Sequence, residues 1–298
     1  MSNEAQIYIE KIEKATKLTD VVTEKPIFAN IKNIIKLIHP DICSLPGAQE
    51  AFIKLQELKN VYVNGITYTD DAGEVNTNNL YVKLKGDPEL LKISYRNFLR
   101  LKSSTTNAAL FHRYIPNKMT IQKDSEGNPE VLIDLQRRGV PISQIPLPLD
   151  QNHVNWILSR VLEFTTWLKS LGMVHCGLNP ESIFVTPEDH GIQIISFYHM
   201  TPINSKVNTI SGGFKQWYPP ELFTEKKATH TIDIELAKRM AAYLLGDKSG
   251  LGIKLRKTHN KDFLDFLVKR QDDPVEAFSQ YRELVQRNFE KRFYELNL

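Results

Sequence analysis

From about residue 150 the chain reads as mainly helical, whereas the stretch before it, from residue 63, reads as short strands with one helix. Residues 155–171 carry Ile157, Leu158, Val161, Leu162, Phe164, Trp167 and Leu168, apolar on nearly every side. Such a helix is built for burial, and Gly172 is a suitable stop. Further helical patterns cover roughly 231–245, 260–270 and 274–293, with strand-like Ile183-Phe184-Val185 and Ile192–Ile195 between. Upstream, Val61-Tyr62-Val63, Ile66-Thr67-Tyr68, Leu80–Leu84, Met119–Lys123 and Glu130–Leu135 have strand character. Asp70-Asp71-Ala72-Gly73 and the DSEGNP segment read as turns, and 88–101 reads as a helix. A β-rich stretch of about 63–138 followed by a helical one of about 139–298 is an α+β arrangement.

The first 62 residues differ again. Ile7, Ile9, Ile12 and Ala15 give an approximate helical pattern, and Pro26 breaks it. Phe28, Ile31, Ile34, Ile35 and Ile38 then mark an amphipathic helix whose other face carries Lys32 and Lys36. His39-Pro40-Asp41 follows, then a loop with Pro46 and Gly47, and a second helix over 48–62 through Phe52, Leu55, Leu58 and Tyr62. The expected fold class is multidomain, α and α+β: a helical module over 1–62 and a larger domain over 63–298.

With 38 basic and 35 acidic side chains, the net charge of +3 is too balanced for a nucleic-acid binder, which needs a clustered basic face. Cys43 and Cys176 make neither a metal-ligand spacing nor a disulfide framework, so a reducing cytoplasm is the expected location. His153, His190, His199 and His230 show no zinc spacing and read as structural histidines, so no metal site is expected. The charged N-terminus is no secretory signal, and no run approaches the ~18 apolar residues of a membrane span.

The helical pair joined by His39-Pro40-Asp41 resembles the J domain of DnaJ-type co-chaperones. In that family this tripeptide, with a basic helix, engages a DnaK-type chaperone and stimulates its ATPase. The resemblance therefore implies a chaperone-binding surface made of Lys32, Lys36, His39, Pro40 and Asp41. Physically, proline fixes the backbone at the helix exit, and the lysines can steer association with an acidic surface.

The segment VHCGLNPESIFV resembles the catalytic loop of protein kinases, with His175, Leu178, Pro180, Glu181 and Ile183 matching. Over residues 63–298 the resemblance implies a bilobal protein-kinase-like fold. The departures fall on chemical positions. Cys176 stands for the phosphate-anchoring arginine and Gly177 for the catalytic aspartate. Asn179 stands for the loop lysine and Ser182 for a metal-binding asparagine. Ser196-Phe197-Tyr198 stands for Asp-Phe-Gly. FKQWYPPELF matches the end of the activation segment through Pro220 and Glu221, with Arg270 a candidate partner for Glu221. Asp233 matches the aspartate that braces the catalytic loop. Lys83 is the best match for the strand lysine that contacts phosphates, and Tyr95 or Arg96 stands where its glutamate belongs. No G-x-G-x-x-G precedes it. A hard Mg²⁺ needs carboxylate oxygens, so the resemblance implies a pseudokinase and not an enzyme.

The expectation is an adaptor: the helical module recruits a DnaK-type chaperone, and the second domain binds a client or partner protein. No cofactor is expected, though weak, metal-independent nucleotide binding stays open. The alternatives are a pure scaffold and an atypical kinase-fold transferase.

Overall fold

Apolar residues one turn apart set the N-terminal fold. In a computed structural model, which describes residues 2–23, 26–290 and 296, helices α1 (Ser2–Lys14), α2 (Leu18–Val21), α3 (Ile27–Ile38) and α4 (Ala48–Asn64) open the chain. Ile9, Ile12, Leu18, Ile31, Ile34, Ile38, Ala51 and Leu55 make one buried core. The α2 start is held by Asp20, whose carboxylate accepts the N–H of Thr16 at 2.9 Å and of Lys17 at 3.0 Å. Val61-Tyr62-Val63, expected as strand, continues α4. The turn to strand comes only at Gly65, with φ of 78°, where an added Cβ would meet Thr77 O at 2.3 Å.

The chain then forms β1 (Ile66–Thr69), β2 (Gly73–Thr77), β3 (Tyr81–Gly86), α5 (Pro88–Lys102), α6 (Ala108–Phe111), β4 (Lys118–Lys123) and β5 (Pro129–Asp134). The sheet order is β1-β2-β3-β5-β4. Alternation places Val82 and Leu84 of β3 and Val131 and Ile133 of β5 among the buried residues, as are Leu91, Phe98 and Leu101 of α5. Asp87 caps α5 by accepting from Glu89 N at 2.8 Å and Leu90 N at 3.1 Å, which satisfies amides the first turn cannot pair.

The remaining elements are β6 (Val140–Pro141), α7 (Gln151–Ser170), β7 (Met173–Val174), β8 (Ile183–Thr186), β9 (Gly191–Ile194), β10 (Thr201–Pro202), α8 (Glu221–Glu225), α9 (His230–Leu244), α10 (Lys261–Val268) and α11 (Pro274–Asn288). The last three residues of the helix expected over 274–293 lie outside the described residues. Helix α7 is the central beam: Val161, Phe164, Trp167 and Leu168 are fully buried, and it packs against α9 and α11. Small sheets β6-β8-β9 and β7-β10 flank the loop that follows it. The architecture is thus mixed helix and sheet. The chain divides into two units: residues up to Thr67 with Asn76–Asn78, and Tyr68–Val75 with the residues from Asn79 onward. The five-stranded sheet's α5 and the helices from α7 onward belong to the same second unit. No described helix is long and apolar enough to cross a membrane.

Candidate functional site

Strand β7 pairs with β10, Val174 opposite Thr201, and delivers the next residues to α9. The carboxylate of Asp233, 1% exposed, accepts His175 N at 2.7 Å and Cys176 N at 2.8 Å. Burial pushes its pKa up to about 7, against those two N–H groups. Cys176 takes a left-handed φ of 57°, and its carbonyl accepts the Tyr218 hydroxyl at 2.7 Å. His175 Nε2 lies 3.0 Å from Ser196 O. A carbonyl only accepts, so Nε2 carries the proton and Nδ1 is left buried without a partner. Burial, with the His199 charge, holds His175 down to about 3. It is neutral at any ordinary pH.

Asn179 closes the loop on itself: its Oδ1 accepts Glu181 N and Ser182 N, both at 2.9 Å. Ser182 Oγ bonds Gly177 O at 3.2 Å and Asn179 O at 3.0 Å. The Ser182 hydroxyl and the Asn179 Oδ1 are spent on the turn. Phe197 N donates to Ser94 Oγ of α5 at 2.9 Å, and Asn97 Nδ2 donates to Phe197 O at 2.9 Å. Ser94 and Asn97, not Tyr95 or Arg96, are therefore the α5 residues that face this segment.

Residues that sequence reasoning passed over gather here. The turn Asp70-Asp71-Ala72-Gly73 carries two carboxylates into the second unit's polar cluster. Asp70 accepts the Tyr198 hydroxyl at 2.8 Å. Asp71 accepts Ser211 Oγ and Gly212 N, each at 3.0 Å, and faces His199 Nε2 at 3.1 Å. Asn179 Nδ2 reaches Ser211 Oγ at 3.1 Å. Burial works to raise Asp71, but the His199 hydrogen bond and charge, with the Ser211 and Gly212 donors, bring it below the usual carboxylate range. Asp70 goes the other way: burial raises it despite the Tyr198 hydroxyl. Glu181 rises to about 7 through burial and then the charges of Asp71 and Asp70. The ionised Asp71 can only accept, so His199 Nε2 carries the proton. His199 Nδ1 lies 2.9 Å from the hydroxyl of the exposed Thr209. The only sequence sign of this cluster was a pair of adjacent acids at a turn.

His199 also explains Gly177. A Cβ on Gly177 would lie 2.5 Å from His199 Cδ2, so the ring fills the space of an absent side chain. Lys83 stands apart from this cluster. It is exposed, alternating with the buried Val82 and Leu84, and its Nζ sits 3.7 Å from the buried Glu130. Glu221 pairs with Arg270. Among the described residues, no group of three or more His, Cys, Asp or Glu is placed to hold a metal ion.

In the first unit, His39 follows α3 and packs edge-on against Phe52, with ring centroids 5.0 Å apart. Asp41 N reaches His39 Nδ1 at 3.3 Å, and the Asp41 side chain is 87% exposed. Lys32 and Lys36 are exposed on α3, one turn apart, while Ile31, Ile34 and Ile38 face inward.

No family model and no curated protein matches this chain. It is similar to a solved structure described as "Structure of vaccinia related kinase 3", with 13% sequence identity, a TM-score of 0.49, and coverage of 75% of this chain and 91% of that one. The expectation that the chain is not an enzyme is corrected: the protein it is similar to is named a kinase.

Proposed function

We propose that the chain is a chaperone-linked adaptor, in which the N-terminal helical unit engages a DnaK-type ATPase and the kinase-like unit holds a client or partner protein. The observation that carries this reading is the exposed corner at the end of α3. Pro40 fixes the backbone there, and the Asp41 carboxylate is exposed, 3.6 Å from His39 Nδ1. His39 is half-exposed, and Lys32 and Lys36 lie behind it on one face. A rigid acceptor with cations on the adjoining helix suits a partner surface of mixed charge, and the cations speed its approach.

The test is the steady-state ATPase rate of the host's DnaK-type chaperone with the full chain or its His39→Gln variant added. Stimulation by the native chain and none by the variant supports the reading. No stimulation by the native chain removes it.

A second reading, an atypical kinase-fold transferase, draws on the Asp71–His199–Thr209 relay. An imidazole whose Nε2 proton is held by a carboxylate presents Nδ1 as a base, beside the loop position held by Gly177. Transfer of labelled phosphoryl from a nucleoside triphosphate, lost in His199→Gln, supports it. An inactive native chain sinks it.

A further inference from the structure

A cavity in the larger unit shares no residue with the Asp71 cluster. Its volume is about 130 Å³, and its walls bring together Arg113, Arg137 and Arg160. The three come from separate places: the turn His112–Tyr114, the link between β5 and β6, and the middle of α7. The β8–β9 turn, with Asp189 and Gly191, closes the far side.

Two carboxylates partly neutralise the arginines. Glu163 accepts from Arg113 Nη2 at 3.0 Å and from Arg160 Nη1 at 3.1 Å, and takes the Tyr114 hydroxyl as well. Asp189 pairs with Arg137 Nη1. Arg160 Nε donates to His190 O at 3.2 Å. Three guanidiniums against two carboxylates leave an excess of one positive charge. Hydrogen-bonding capacity is in larger excess, since each guanidinium has five N–H donors in a fixed fork. The bonds above leave Arg113 Nη1, Arg137 Nη2 and Arg160 Nη2 uncommitted among the described residues. Donors left without acceptors beside a cavity call for a partner.

The partner must be an anion with several acceptor oxygens that can meet three planar forks at once. It must also be small, because the cavity is well below the roughly 300–1,000 Å³ of sites for drug-sized ligands. A phosphate group meets both demands, and charge-assisted bonds from arginine to phosphate are among the strong ones. We propose that this cavity is an anion site for a phosphate group, bound by Arg113, Arg137 and Arg160. The group's source is either free phosphate or a phosphorylated side chain of a partner peptide.

The test is calorimetric titration of the full chain with inorganic phosphate and, separately, with a phosphoserine peptide and its unphosphorylated form, all at matched ionic strength. Saturable binding of phosphate or of the phosphopeptide is expected, weakened roughly tenfold or more in Arg160→Gln. Arg137→Gln, in an exposed link, should show the same loss and guards against misfolding of the α7 variant. Equal affinity for the two ligands assigns the site to free phosphate. Much tighter binding of the phosphopeptide than of phosphate, with none of its unphosphorylated form, assigns it to a modified partner. No saturable binding of either ligand at millimolar concentration, or binding unchanged in both variants, overturns the proposal.

Discussion

The His199 ring and Gly177 exclude each other's side chains: one Cβ added at Gly177 would stand 2.5 Å from His199 Cδ2. The ring cannot readily swing away, because its two nitrogens are held by Asp71 at 3.1 Å and Thr209 at 2.9 Å.

Gly177→Ala should therefore destabilise the protein by about 1–3 kcal/mol, the usual cost of overpacking a filled site. In a His199→Ala background most of that cost should vanish, since the obstructing ring is gone. Urea midpoints for the four proteins of this double-mutant cycle measure the coupling directly. A harmless Gly177→Ala would show that the ring moves freely.

Glu181 gives a pH signature. Its folded pKa is raised to about 7, by burial and then by Asp71 and Asp70, above an ordinary value of 4.5. The folded state thus holds the proton more tightly than the unfolded one. The resulting stability is full below the ordinary value and is lost as pH rises through the folded value. Glu181→Gln removes this loss. Its melting temperature relative to the native chain should improve between pH 4 and pH 8, by roughly 2–4 °C after allowance for solvent screening. A constant difference across that range would contradict the raised pKa.

Leu55→Ala tests the N-terminal core. Leu55 is fully buried among Ile9, Ile31, Ile34 and Ile38, so the truncation should cost about 2–5 kcal/mol. Because this core belongs to the first unit, hydrogen exchange should quicken in α1, α3 and α4. Amides of α7 and α9 should keep their protection.

Much of this was legible in the sequence, and the failures share a cause. Helices α3, α4 and α7 announced themselves through periodic apolar residues, because burying one face is what holds such helices. The arginine proposed for Glu221 is found there. Val61-Tyr62-Val63 misled because β-branched residues favour strands only weakly against tertiary context, and α4 runs on to Gly65. For Lys83 a motif match left open which face of the strand the residue takes. Its neighbours Val82 and Leu84 claimed the interior. Asp71 and His199 could not have been paired at all from local pattern, since nothing in either segment refers to the other.

That pairing has a consequence for how the molecule comes into being. Asp71 finds its partners 128 and 140 residues further along the chain, at His199 and Ser211. Contacts across such separations close long loops and come late in folding. During synthesis the hairpin tip therefore emerges well before anything that can receive it. The cluster cannot be completed until residue 211 has left the tunnel, and Asp71 waits in water for its partners until then.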